Sequence, residues 1–315
     1  METPDLVSRT DLETLLTAVG GNVTDARAGV FGPASVVWKI SRESALFLAA
    51  GRAALLQLAH PWVAAAIAQH STVLHAPIAR FHNTFRIVFT VIFGTSEQAL
   101  AAARYLHTLH TRIRGELTEA VGPWGRGTSY EANEIAALRW VHATLIESAV
   151  LAYEAVLPLN AAEREQYYQQ SKLQAAFFGI PAAALPGDWA AFSEYNRQMA
   201  SELAVSPAAR SMGQDILRGA GSWIHPPRWY RALTAEWMPP RLREEFGLVF
   251  TAADQRAAAQ AGTWLPRAYR ALPPAVRYVG PYREALARLS GSGPGLMTQA
   301  SNRFWIGQRL IPFRG

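Results

Sequence analysis

Between Ser41 and Ala271 the apolar residues recur at helical spacing in Ala- and Leu-rich runs broken by Gly and Pro, and strand-like alternation is almost absent. That pattern commits the chain to helices. Half of the 315 residues are hydrophobic and only 17% are charged, enough apolar material for one large core. The reading is therefore all-α, a single helical domain. The most apolar stretch, Ala45 to Ala68, is long enough to span a bilayer but is interrupted by Arg52, His60 and Pro61. Two buried helices broken at His60-Pro61 account for it better, because proline restricts the residue before it and ends the preceding helix. No transmembrane segment is expected, and the acidic start without an apolar run gives no signal peptide and a cytoplasmic location.

Punctuation and periodicity predict helices at 42–58, 61–70, 77–93, 96–115, 131–157, 161–178, 188–203, 206–219, 227–235, 240–246, 252–271 and 281–289. Residues 1–40 read as a leader with one short helix, 41–290 as the main helical domain, and 291–315 as a C-terminal extension after Gly291-Ser292-Gly293-Pro294-Gly295.

Composition then narrows the chemistry. There is no cysteine, which removes disulfides, thiolate nucleophiles, Cys-ligated zinc, iron–sulfur clusters and a thiolate-ligated haem. The formal charge of +6 comes almost wholly from arginines scattered among apolar residues, Lys39 and Lys172 being the only lysines. Nucleic-acid binding is not expected from that distribution, while a mildly cationic surface leaves room for peripheral contact with anionic membranes.

Two segments carry candidate chemistry. In Arg80-Phe81-His82-Asn83-Thr84 an arginine and a threonine four residues apart share a helix face. In His107-Thr108-Leu109-His110-Thr111-Arg112-Ile113-Arg114-Gly115 a histidine one helix further on can face them across a pocket. His107 and His110 are also spaced to chelate one metal, but no carboxylate partners accompany them, and the Glu-X-X-His element of di-iron bundles is absent. His142, within Trp140-Val141-His142-Ala143-Thr144-Leu145, lies mid-helix, where a buried imidazole usually bonds a backbone carbonyl. Trp223, Trp229 and Trp237 either line a ligand entrance or belong to the core.

Taken in order, several segments resemble the MpaB and rubber oxygenase (latex-clearing protein) family of haem b proteins. They are Gly51-Arg52 through His60-Pro61, Gln69-His70-Ser71, Arg80-X-X-X-Thr84 running into Val91-Ile92-Phe93-Gly94, His110-Thr111-Arg112-Ile113-Arg114-Gly115, Trp140 through Leu145, Tyr167-Tyr168, Gly179-Ile180-Pro181, Leu185-Pro186, Leu265-Pro266 and Pro273-X-X-Arg277. The resemblance covers roughly residues 35 to 290. It implies a globin-like helical core around one haem b, with His110 as proximal iron ligand and Arg80 and Thr84 as distal residues. His142 becomes a pocket residue, and Arg52, Arg86, Arg112 and Arg114 are candidates to pair with the haem propionates.

The activity so implied is a haem-dependent oxygenase or oxidase that uses dioxygen on an apolar small molecule, isoprenoid or lipid-like. The alternative is a haem- or dioxygen-binding sensor or carrier without turnover. Two departures from the rubber-cleaving members matter. Residues 51 to 79 contain no Asp or Glu to serve as the distal base, and Asn83 stands where those members place a lysine beside the distal threonine. Polyisoprene cleavage is therefore not expected.

Overall fold

The computed structural model describes residues 5–70, 77–222 and 225–313, so His75 and Trp223 lie outside the described residues. Six helices open the chain: α1 (Arg9–Gly21), α2 (Val36–Ser41), α3 (Ala50–Leu58), α4 (Pro61–His70), α5 (Pro77–Phe93) and α6 (Ser96–His110). A small antiparallel hairpin follows, β1 (Arg114–Glu116) with β2 (Ser129–Glu131), Gly115 standing opposite Tyr130. Then come α7 (Ile135–Glu154), α8 (Ala161–Ala176), α9 (Trp189–Glu202), α10 (Pro207–Arg218), α11 (Arg228–Trp237) and α12 (Pro240–Glu245). The chain closes with α13 (Ala252–Ala271), α14 (Pro274–Arg277), α15 (Gly280–Leu289) and α16 (Leu296–Ile306).

The helix starts are chemically marked. Ser8, Thr95, Asn160 and Thr251 each close a capping box with the side chain three residues on, satisfying backbone N–H groups the helix itself leaves open. The break at His60-Pro61 falls where the sequence places it, between α3 and α4.

Among the described residues the largest of three buried clusters forms the main core. Val37, Trp38, Leu55, Phe89, Phe93, Trp140, Tyr168, Phe192 and Phe246 are buried within it. Its two buried indoles are satisfied: Trp38 donates to the Ile92 carbonyl at 2.8 Å, tying α2 to α5, and Trp140 donates to the Leu56 carbonyl at 2.8 Å, tying α7 to α3. Among the described residues α7 is the one helix long and apolar enough to cross a membrane, and 56% of its apolar window is buried inside the protein.

Four of the differences from the sequence reading have local causes; α2, in the expected leader, and α14 are further helices that no expected helix covered. The helix expected to reach residue 115 stops at His110, because Arg114–Glu116 pairs with Ser129–Glu131. The helix expected from 131 starts at Ile135, since Ser129–Glu131 is the other strand of that pair. Residues 44–49 form a tighter 3-10 turn before α3. There the fully buried Glu43 is fixed by Arg277 at 3.1 Å and by the Tyr269 hydroxyl at 2.9 Å. The fourth is α16, which no expected helix covered; it joins the main core through Ile306, with Trp305 stacked on Phe47 at a ring separation of 4.1 Å.

Burial sets the protonation of several interior groups. It pushes the pKa of His60 and of His142 down to about 4, whereas burial, helped by Glu131 and Asp5, pushes Glu134 up to about 7. For the histidines the folded pKa lies below the ordinary value of 6.5, so on acidification the unfolded chain takes protons first. Their stabilisation is present above pH 6.5 and is lost as pH falls toward 4. Glu134 acts in the opposite sense, stabilising at low pH and losing that contribution as pH rises through 7. With His110 shifted in the same direction, the imidazoles outweigh the one carboxyl, so urea unfolding should show stability falling from pH 7 to pH 5 by roughly 1–3 kcal/mol. The slope should flatten in His142→Gln, whose amide still donates to the Ser171 carbonyl; an unchanged slope would remove His142 from this account.

Candidate active site at the open end of a helical hairpin

α5 and α6 form an antiparallel hairpin bent at Gly94-Thr95. With about 100° between successive helical residues, Arg80, Thr84, Ile87 and Val91 of α5 fall within about 60° of one another. On α6 the same spacing puts Ala99, Ala103, Leu106 and His110 on one face. Ile87, Val91, Ala99, Ala102 and Ala103 share one buried cluster, which shows that these two faces are turned toward each other near the bend. Arg80 and His110 both stand about 20 Å along their helices from that bend, at 1.5 Å per residue, and so lie at the same level.

The character of the facing surfaces changes along the hairpin. Near the bend small alanines on α6 let Ile87 and Val91 close the gap completely; at the far end Thr84 is exposed and Arg80, Leu106 and His110 are half-buried. The polar residues thus lie at the more solvent-accessible end of the hairpin. The remaining surface of α5 is aromatic: Phe81, Phe85, Phe89 and Phe93 run at four-residue spacing with ring separations of 4.6, 5.7 and 5.8 Å. Phe47 caps this ladder at 4.7 Å from Phe85.

His110 differs from the other histidines in what its ring touches. His70 meets the Arg114 carbonyl at 3.0 Å, His82 the Phe304 carbonyl at 2.9 Å, His107 the Val7 carbonyl at 3.0 Å and His142 the Ser171 carbonyl at 3.1 Å. Among the described residues the His110 imidazole makes no hydrogen bond, and neither of its nitrogens is sealed in. Burial pushes its pKa down to about 4, with repulsion from His107 adding to the shift. At neutral pH it is an unprotonated imidazole with lone-pair capacity to spare, the state a metal ligand requires. Arg80 likewise has its pKa lowered by burial.

The backbone after His110 is held by contacts that sequence reasoning did not anticipate. The His110 carbonyl accepts from the Ile113 N–H at 3.0 Å, turning the chain into β1. A Cβ on Gly115 would lie 2.6 Å from Gln69 Oε1 and 2.7 Å from the Tyr130 hydroxyl. Those two atoms are themselves hydrogen-bonded at 2.8 Å. Gly115 is thus the gap through which the end of α4 reaches β2, and its place five residues after His110 was the only trace of this in the sequence.

The arginine candidates separate. Arg52 is buried, and its guanidinium is taken up by Glu147 at 2.6 Å, the Ser148 hydroxyl at 2.8 Å and the Trp237 carbonyl at 2.9 Å, joining α3 to α7 and α11. Arg86 donates to the Ile306 carbonyl and to Asn83, both at 3.2 Å. Arg112 and Arg114 are exposed on the turn and strand that follow His110. His142 is a core residue whose ring bonds α8. Helical spacing puts Arg80 and Thr84 on one face of α5 at the level of His110 on α6, with Arg112 and Arg114 following His110 in the chain, whereas Arg52 and His142 take packing roles. Trp229 stacks edge-on with Trp264 at 5.3 Å, and Trp237 packs in the same satellite cluster.

A family model described as ER-bound oxygenase mpaB/B'/Rubber oxygenase, catalytic domain, matches residues 38–271, roughly three quarters of the chain. The chain belongs to this oxygenase family. The match spans the α5–α6 hairpin and every site residue named above. Neither a search of curated proteins nor one of solved structures returned a match.

Two substitutions test this geometry. Gly115→Ala should cost about 1–3 kcal/mol in urea unfolding, because the new methyl collides with the Gln69–Tyr130 pair; a cost below about 0.5 kcal/mol would mean that the pair yields freely. Arg52→Ala should cost about 3 kcal/mol by leaving Glu147 without its buried partner, and a stability equal to wild type would show the pair to be dispensable.

Proposed function

We propose that this chain is a haem b-dependent oxygenase acting on an apolar small molecule, with His110 as the iron ligand. One observation carries the reading: an imidazole that among the described residues has no hydrogen-bond partner, and whose pKa burial pushes down to about 4, stands on α6 at the level of the Arg80–Thr84 face of α5. The donor set suits the group. A five-coordinate haem needs one neutral imidazole on one side and polar donors on the other, and its propionates need cations, a role Arg112 and Arg114 fill. Bound haem would supply dioxygen activation, which no side chain of this chain can provide.

The residues divide the remaining work. His110 anchors from α6, and its turn into β1 is braced by the Gln69–Tyr130 contact at Gly115. Arg80 presents a guanidinium that is only partly desolvated, and Thr84 a hydroxyl one helical turn away, so developing negative charge between the helices meets two fixed donors. The phenylalanine ladder, on the other side of α5, packs into the main core and holds the helix that carries Arg80 and Thr84 in place.

A reading without turnover, as a haem- or dioxygen-binding protein, draws on one feature: residues 44 to 96 contain no Asp or Glu, so α4 and α5 bring no carboxylate base to the hairpin. Membership of an oxygenase family weighs the other way. Product formation from an alkene substrate separates the two.

His110→Ala should abolish haem retention while leaving the helical circular dichroism intact; unchanged haem content would overturn the assignment. Arg80→Ala and Thr84→Ala should keep haem, change the spectrum of the reduced, CO-treated protein, and lower turnover by about 10²–10³, the usual loss for one preorganised donor. Spectra and turnover identical to wild type in both variants would remove the pair from the site.

A further inference from the structure

α16 is anchored from one side. Asn302 and Ile306 are buried, Asn302 donating to the buried Glu284 carboxylate at 2.6 Å, and the Phe304 and Ile306 carbonyls accept from His82 at 2.9 Å and from Arg86 at 3.2 Å. With about 100° between successive residues, Leu296, Ala300, Phe304 and Met297 fall within about 100° of one another, on the side away from Asn302 and Ile306. That side is apolar and faces water. Leu296 is 84% exposed, Met297 71% and Phe304 50%, and Leu296 is the most exposed large apolar side chain among the described residues. A surface helix normally turns its apolar stripe toward the core and its polar residues outward. A contiguous apolar strip left in solvent marks a surface that meets another one.

The charge around the strip decides which surface that is. Arg303 stands within about 20° of Leu296 around the helix. Arg309 follows in the next segment; both arginines are exposed, and neither is in an ion pair among the described residues. α16 packs mainly against α15 and α5. Residues 44 to 96, which include α5, hold no Asp or Glu. From residue 255 to residue 313 there are eight arginines and one carboxylate side chain, Glu284, which is 3% exposed and committed to Asn302 and to the Ile311 N–H at 2.9 Å. The elements that carry the strip therefore bring no exposed carboxylate to it. An apolar strip edged by cations suits a bilayer bearing anionic lipid, where the apolar residues enter the acyl boundary and the guanidinium groups stay among the headgroups. A second copy of the chain suits it poorly, because a two-fold contact sets the strip against itself and opposes arginine to arginine.

We propose that the outward face of α16 docks the protein on an anionic membrane surface. Docking requires no haem, so the proposal stands or falls apart from the haem reading. It also gives that reading a source of substrate: Trp305 stacked on Phe47, with the His82 and Arg86 contacts, ties α16 to α5. A docked α16 thus holds the helix of Arg80 and Thr84 beside the bilayer, where lipid-like molecules are concentrated.

Sedimentation of the full chain with vesicles of phosphatidylcholine and phosphatidylglycerol in about equal parts, and with vesicles of phosphatidylcholine alone, tests the face. The mixed vesicles should be bound at least about tenfold more tightly than the neutral ones. Leu296→Ser combined with Met297→Ser should weaken binding to the mixed vesicles at least about tenfold and leave the melting temperature at the wild-type value, since both side chains already face solvent. Val249→Ser, at a residue between α12 and α13 that is 79% exposed, should leave vesicle binding unchanged. Arg303→Gln combined with Arg309→Gln should bring the affinity for mixed vesicles down toward that for neutral ones. Equal binding to the two kinds of vesicle, no binding to either, or full binding by the Leu296–Met297 double variant would overturn the proposal. So would a lowered melting temperature in that variant, which would show the face to be packed. A wild-type dimer that the same double variant dissociates would give the face to a second copy instead.

Discussion

The packing of α5 against α6 near the bend is the constraint on which the site depends. Near the bend, Ala99, Ala102 and Ala103 are fully buried beside Ile87 and Val91. Small residues on one helix admit branched residues from the other, and the pair packs without voids. A few turns on, the same faces carry Thr84 and Arg80 opposite Leu106 and His110. At that end the residues are half-buried or exposed. One hairpin thus supplies both a packed bend and a solvent-accessible end, and the candidate residues on its two helices need no loop to hold them.

What surrounds the hairpin serves that arrangement. Trp38 ties α2 to α5 through the Ile92 carbonyl, and Trp305 of α16 stacks on Phe47 against the aromatic ladder of α5. On the other flank His107 is engaged by the Val7 carbonyl, which ties α6 to the segment before α1. The two histidines three residues apart therefore differ: one anchors the helix, and the other makes no hydrogen bond among the described residues.

Much of this was legible in the sequence because helical periodicity and proline punctuation are local signals. α4, α5 and α13 begin and end at the residues read from the sequence, and the break at His60-Pro61 follows from proline alone. The Arg80–Thr84 face and the choice of His110 over His107 rest on spacing and on resemblance, and the geometry supplies a reason for the second that spacing could not. The β1–β2 hairpin was missed because three-residue strands carry too little alternation to register. α16 was missed because a Gly- and Ser-rich run before it reads as the end of the fold. Arg52 was placed among the propionate partners because a sequence shows that an arginine is present but not that Glu147, Ser148 and the Trp237 carbonyl already occupy it.

The central claim is that the open end of the α5–α6 hairpin holds one haem through a neutral imidazole, and stoichiometric titration of the haem-free chain with haemin tests it most directly. The account predicts saturation at one equivalent, with a Soret band characteristic of histidine ligation. Absorbance that rises without saturating, or a bound spectrum that lacks imidazole ligation, would contradict it.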